Sequence, residues 1–337
     1  MIWSLGVLIQ YSGCTLLCIL APNEHRAKAV PVLTPSTTIE ITPGPDDTMD
    51  VIRDVREMRR WRASERAGDR RVGLVPTMGA LHEGHLALVR EAARRSDRVV
   101  VSVFVNPGQF APGEDLERYP RTLDADVAAL EALSVEGIVF APSDDAMYPD
   151  GVESQRVWID VTTMNDGLCG RYRPGHFKGV TTVVAKLLHI CAPHVACFGL
   201  KDAQQFVVIR RMVLDLDMDV EVVGVPTVRE GDGLALSSRN IYLKPDERAQ
   251  AVVLSKAVRA AAEMISGGVR DVATIRDQMQ VELDRVPLAE IQYAELVNAD
   301  TLQTVERIVG GERLLAAVAV HFGGTRLIDN AFEQAPV

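Results

Sequence analysis

The stretch VVVSVFV at residues 99–105 is apolar at odd and even positions alike, so both faces of any strand it forms must be buried. Few architectures meet that demand, because a strand covered on both faces belongs inside a parallel sheet with helices packed above and below it. The chain keeps this rhythm after Met49. Further strands are expected over residues 72–75, 137–140, 194–198 and 220–225, and helices over 51–62, 85–94, 123–133, 180–191 and 203–214. The character changes after Pro226: a glycine- and serine-bearing loop at 231–239 leads to amphipathic helices at 245–265 and 269–286, then to strands near 291–297 and 313–321. That is the pattern of a smaller α+β domain.

Polar motifs fall in a consistent place, just after the strands. PTMGALHEGH (76–85), NPGQF (106–110) and GLKDAQQ (199–205) each follow an expected strand, and open α/β sheets bind ligands outside the carboxyl ends of their strands. The three motifs therefore belong to one cleft. In the first, a tight loop over 78–84 runs into a helix start, where backbone N–H groups, glycines and the imidazoles of His82 and His85 favour a phosphate. The Gly79–Gly84 spacing imitates a P-loop, yet His85 and Leu86 stand where that motif needs lysine and Ser/Thr. HEGH is one residue short of HExxH and no third ligand is apparent, so zinc is not indicated; a purely structural loop is the alternative at these residues. Asn106 and Gln109 offer amides that bind hydroxyls and carboxylates without the ion pair that quenches a nucleophile. Lys201 brings phosphate charge beside Asp202 and Gln205, and Leu236-Ser237-Ser238-Arg239 supplies hydroxyls and a guanidinium from a loop able to close.

Composition limits the partners. Thirty-six Lys and Arg against 46 Asp and Glu give a net charge of -10 with no basic block, which argues against broad nucleic-acid or anionic-membrane binding. Cys14, Cys18, Cys169, Cys191 and Cys197 form an odd set without CxxC spacing, so neither a disulfide framework nor a zinc ribbon is indicated and a reducing cytoplasm fits. Residues 2–21 are apolar, but no Lys or Arg precedes them and Ser4, Gln10, Tyr11, Ser12 and Thr15 interrupt them. Residues 31–47, rich in Pro and Thr, read as a disordered linker. The expectation is that Met49 is the natural start and residues 1–48 a disordered or non-native extension, with a membrane anchor as the alternative.

Six segments in order carry a family resemblance: VGLVPTMGALHEGH (72–85), VSVFVNPGQF (101–110), YPRTLDAD (119–126), RPGHFKGV (173–180), FGLKDAQQ (198–205) and DGLALSSRN (232–240). Together, from about Met49 to near Ile328, they resemble the pantothenate synthetases of the nucleotidyltransferase superfamily, whose signature is a His-x-Gly-His-type loop. The resemblance implies a Rossmann-like ATP- and pantoate-binding domain over 49–227 and a C-terminal lid over 228–337, in a homodimer. It implies that ATP and pantoate form pantoyl adenylate and pyrophosphate, and that β-alanine then yields pantothenate and AMP. Met78, Gly79, Ala80, Leu81, His82, Glu83, Gly84 and His85 would form the ATP loop, with His85 the proton donor and His82 a phosphate contact. Gly199, Leu200, Lys201, Asp202, Val228, Leu236, Ser237, Ser238 and Arg239 would complete the nucleotide site. Of these, Lys201, Ser237, Ser238 and Arg239 would join the histidines in catalysis. Gln109 and Gln205 would hold pantoate, and Mg²⁺ would be held mainly by the ATP phosphates. Gly108 and Leu200 depart from the family's usual methionine and glutamate, which bears on affinity; Tyr172, Arg173 and His176 are open between substrate contact and shaping the cleft. A related adenylyl- or cytidylyltransferase shares the phosphate machinery, but Gln109 with Gln205 speaks against it. The intact charged groups disfavour a non-catalytic regulator.

Overall fold

Branched apolar side chains, which suit a pleated surface buried on both sides, form the sheet that carries the site. The computed structural model describes residues 6–11, 14–19 and 49–337, so the expected linker at 31–47 lies outside the described residues. Strands β1 (Gly6–Tyr11) and β2 (Cys14–Ile19) pair antiparallel, from Gly6 opposite Ile19 to Tyr11 opposite Cys14.

From residue 49 onward the chain lays down β3 (Val51–Ile52), α1 (Val55–Ala67), β4 (Val72–Thr77), α2 (Glu83–Arg95), β5 (Arg98–Val103), α3 (Leu123–Glu131) and β6 (Gly137–Phe140). Two short helices, α4 (Asp144–Met147) and α5 (Leu168–Tyr172), precede α6 (His176–Cys191), β7 (Val195–Gly199), α7 (Ala203–Asp215) and β8 (Glu221–Val225). The six strands β3 to β8 form one all-parallel sheet in the order β3-β6-β5-β4-β7-β8. Val99, Val100 and Val101 of β5 are essentially unexposed, as their double-sided apolar pattern requires. Met58 of α1 packs with α6 and α7 on one side, and Leu88, Val89 and Ala92 of α2 with Leu130 pack on the other. Because the connections run outward from β4 in both directions, the strand order switches beside it, and the loops after β4, β5 and β7 open a crevice there.

The first helix starts later than expected. Val51–Ile52 instead pairs with Val139–Phe140 at the sheet edge, and Asp54 then caps α1 by accepting from Glu57 N at 2.8 Å. The C-terminal region follows with α8 (Pro245–Ala251), α9 (Val253–Ser266), α10 (Val272–Leu283), β9 (Ala289–Asn298), β10 (Arg313–Phe322) and β11 (Thr325–Gln334). One helix was expected over 245–265, but it divides at Val252. A third strand, β11, joins the two expected ones through a two-residue Gly323-Gly324 turn, giving an antiparallel sheet in the order β11-β10-β9. Its apolar face packs on α9 and α10. The fold is thus α/β, a Rossmann-like parallel sheet followed by a smaller α+β region. Among the described residues no helix is long and apolar enough to cross a membrane.

Candidate active site

The loop between β4 and α2 is held from below. Gly79 and Ala80 both take positive φ, +84° and +50°, the second in a region that a Cβ disfavours. Asp126 of α3, 2% exposed, supports this turn: its Oδ2 accepts from Ala80 N at 3.1 Å and its Oδ1 from Leu81 N at 2.7 Å, while the Thr122 hydroxyl lies 3.3 Å from both oxygens. Gly79 N donates to Thr77 Oγ1 at 3.1 Å. These bonds take up most of the loop amides that were expected to be free for a phosphate. The N–H groups of Gly79, Ala80, Leu81, His82, Gly84 and His85 are all bonded within the protein.

Side chains supply further donors. Gly84 N donates to His82 Nδ1 at 3.1 Å and His82 N to His85 Nδ1 at 3.3 Å, a reciprocal cap that starts α2 at Glu83, two residues before the expected position. An imidazole nitrogen that accepts carries a lone pair, so each neutral ring keeps its proton on Nε2. The ring centroids lie 4.1 Å apart. Burial, then the nearby Lys201 charge, lowers the pKa of His82, and burial together with His82 pushes His85 down to about 3. Both rings line the crevice as uncharged N–H donors.

After β5 the NPGQF motif makes a single 3₁₀ turn, Pro107–Gln109, organised by Asn106. Asn106 is 1% exposed. Its Nδ2 donates to Gln109 Oε1 at 3.0 Å and Gly179 O at 3.3 Å, and its Oδ1 accepts from Gly108 N at 3.2 Å and the Tyr148 hydroxyl at 2.7 Å. Asn106 is therefore a frame for Gln109, whose own Nε2 faces the Met78 thioether at 3.2 Å, a weak acceptor that a carboxylate or hydroxyl oxygen outcompetes. His176 Nδ1 donates to Gln109 O at 2.8 Å and its Nε2 accepts from Arg173 at 3.0 Å. Burial and then the Arg173 charge push His176 down to about 4. Arg173 also forks onto Glu114 with two contacts of 2.6 Å. Burial of Glu114 works against its charge, but those bonds outweigh it and hold the carboxyl below its usual range.

The 3₁₀ turn Leu200–Asp202 leads from β7 into α7, with Lys201 Nζ 3.9 Å from Asp202 Oδ1. Of the adjacent glutamines, Gln205 lines the crevice, whereas Gln204 accepts from Cys169 N and donates to the Met164 and Gly167 carbonyls. On the far wall Arg239 forks onto Asp115, Nε to Oδ2 at 2.9 Å and Nη2 to Oδ1 at 3.0 Å. The guanidinium carbon lies 5.8 Å from the centre of the Tyr119 ring, and the Tyr119 hydroxyl is 3.4 Å from Ser238 Oγ. Asp115 is held below its usual range because these bonds override burial. Arg239 arrives already paired, with Nη1 left over.

The crevice encloses about 220 Å³. Met78, His82, Gly84, His85 and Gln109 line one side, and Gly199, Lys201, Asp202 and Gln205 another. Val228, Leu236, Ser237, Ser238 and Arg239 form the loop wall. Five residues expected in the nucleotide site are not among those lining the crevice. Gly79, Ala80 and Leu81 wrap Asp126, Glu83 pairs with Arg90 at the surface, and Leu200 packs toward Gly224 of β8. Arg173 and His176 line the crevice, while the Tyr172 hydroxyl donates to Gln292 O at 2.8 Å and its ring stacks on Tyr293. Residue type alone did not reveal Asp115, Tyr119 and Asp126, although Tyr119 and Asp126 bound the YPRTLDAD motif.

Comparison with known proteins decides the family. The model of the Pantoate-beta-alanine ligase family matches residues 50–332. The chain belongs to that family. It is 55% identical to the pantothenate synthetase of Salinibacter ruber over 292 residues, 86% of this chain and 99% of that protein. The crystal structure of pantothenate synthetase from Thermus thermophilus matches with a TM-score of 0.76 at 46% identity, covering 84% of this chain and 99% of that one. A pantoate-beta-alanine ligase from Francisella tularensis, solved with beta-gamma ATP and beta-alanine, matches with a TM-score of 0.68 at 32% identity over 84% of this chain and 97% of that one.

Proposed function

We propose that this member of the family condenses pantoate with β-alanine to pantothenate, consuming ATP through pantoyl adenylate and releasing pyrophosphate and AMP. The observation that carries the reading is the meeting of Gln109, Gln205, His82, His85, Lys201 and Arg239 on one crevice at the sheet's switch point. A pantoate carboxylate oxygen attacks the α-phosphorus and the bond to pyrophosphate breaks. The β-alanine amine then attacks the acyl carbon, the bond to AMP breaks, and the amine gives up its proton.

Negative charge builds on the phosphates in the first step, so its barrier is lowered by fixed donors rather than by covalent chemistry. In this reading Nε2–H of His82 and of His85, the Lys201 ammonium, the Ser237 and Ser238 hydroxyls and Nη1 of Arg239 are those donors. Gln109 Nε2 exchanges the Met78 sulfur for a pantoate oxygen, and Gln205 binds a second one without pairing the nucleophile to a cation. Residues 228–337 act as the lid that brings the 236–239 loop down.

The donor set suits Mg²⁺ in a particular way. Asp202 lines the crevice with its side chain half exposed, and among the described residues there is no group of three or more His, Cys, Asp or Glu able to hold a metal. One carboxylate plus phosphate and water oxygens is a usual Mg²⁺ environment. When bound, the ion neutralises charge on the triphosphate. A homodimer rests on the family resemblance alone. A cytoplasmic setting is supported by the odd set of cysteines without CxxC spacing, and the net charge of -10 disfavours nucleic-acid or anionic-membrane partners beside the small-molecule substrates.

Incubation with ATP, pantoate and β-alanine tests the reading: pantothenate, AMP and pyrophosphate should appear in equal amounts. ADP in place of AMP, or turnover without pantoate, would refute it.

A further inference from the structure

We propose that Asn330 is a positioning residue for adenylation, fixing Lys201 from the C-terminal sheet while its neighbour Asp329 fixes the loop that carries Ser237 to Arg239. This rests on the reading of the crevice as the ATP site. Asn330 is 7% exposed, and its Nδ2 donates to Leu200 O at 3.0 Å and to Lys201 O at 2.7 Å. The turn that presents the lysine is thus held by a side chain 129 residues further along. Asp329 is 2% exposed and accepts a guanidinium fork from Arg229, at 2.6 Å and 2.9 Å. Arg229 in turn donates to Gly233 O at 3.1 Å, and Leu236 N donates to Val228 O at 3.0 Å, closing the base of the loop.

Successive side chains of a strand leave opposite faces, so two adjacent positions on β11 reach two separate segments of the site. The register of β11 on β10, with Asp329 opposite Val318 and Asn330 opposite Ala317, therefore sets the spacing between the lysine turn and the phosphate loop. Packing holds the lysine turn only where Leu200 meets β8 and the core. A second cavity of about 80 Å³ adjoins the reaction crevice, shares Lys201, Asp202, Ser237 and Arg239 with it and opens beside this turn toward Asn330, so on that side hydrogen bonds locate the turn. Asp329 and Asn330 face the adjoining cavity rather than the reaction crevice itself, and their hydrogen bonds go to the segments that carry Lys201 and Ser237 to Arg239, so they act through what they hold.

Asn330→Leu removes both donors at similar volume. A displaced charge-stabilising group costs up to about 100-fold in rate, so pantoate-dependent pyrophosphate release should fall roughly 10- to 100-fold in kcat while the pantoate KM stays within about twofold. In a Lys201→Ala background the same substitution should cost less than about threefold, because residues acting through one another are not additive. Should the leucine variant not fold, Asn330→Ser, which keeps a single hydroxyl donor, should show an intermediate kcat with the same non-additivity. Wild-type kcat in a folded Asn330 variant, or fully additive losses with Lys201→Ala, would overturn the inference. Wild-type pyrophosphate release by Lys201→Ala alone would overturn the ATP reading beneath it.

Discussion

Two imidazoles in this crevice offer N–H donors without carrying charge. His82 and His85 spend Nδ1 on backbone amides, burial lowers the pKa of both, and His85, at about 3, is a neutral ring at any pH above about 5. The rate of pyrophosphate release should therefore be flat from about pH 6.5 to 8, and a fall with an apparent pKa near 6.5 would show that a histidine cation is the acid. Asp126→Asn exchanges one of two accepting oxygens for an NH₂ that confronts a loop amide. Leaving a buried donor unpaired costs about 1–3 kcal/mol. The variant should melt several degrees lower and lose about tenfold in kcat by the reasoning on displaced groups; a folded variant of full activity would free the loop from this carboxylate. The residues that speak in a sequence are those whose type matches the ligand, such as His82, His85 and Lys201. Asp115 and Asp126 have the wrong sign for a phosphate site, and only geometry shows that one serves an arginine and the other backbone N–H groups.

Among the elements, α6 and the turn after β5 depend on one close approach. A Cβ on Gly179 would lie 2.0 Å from Gly108 O, and Gly179 O accepts from the Asn106 amide that orients Gln109. Gly179→Ala should therefore push the turn away, raising the pantoate KM by about tenfold or more, as expected for a displaced polar contact of 1–3 kcal/mol, with the KM for ATP changed far less. Equal changes in both constants would separate this contact from the glutamine. Strands β4 to β7 were legible because their apolar runs are buried on both faces and need no partner to be recognised, and the half-buried edge strand β8 because of its run of valines. The hairpin strand β11 was not, since Arg326, Asp329 and Asn330 interrupt its apolar pattern with groups whose use lies far away in sequence, although Gly323-Gly324 is a hairpin signal. Val51–Ile52 was absorbed into the following helix for the opposite reason: two residues are too short to show a period.

At the scale of the whole molecule, the same buried imidazoles tie stability to pH. The pKa of His85 is about 3 and that of His176 about 4 in the folded chain, against an ordinary value of 6.5. Between those values the unfolded chain binds more protons than the folded one, so stability is intact above about pH 6.5 and declines as pH falls toward 4. Thermal melting at pH 7.5 and pH 5 should show the lower Tm at pH 5, with a smaller difference in His85→Gln; an undiminished difference would remove His85 from this linkage. In the proposed reaction, a crevice assembled from three strand ends and one loop activates pantoate before β-alanine takes part. Isotope exchange between labelled pyrophosphate and ATP, measured without β-alanine, tests it most directly. Exchange should appear when pantoate is added and vanish when it is withheld, and exchange that required β-alanine would rule out a pantoyl adenylate formed ahead of the amine.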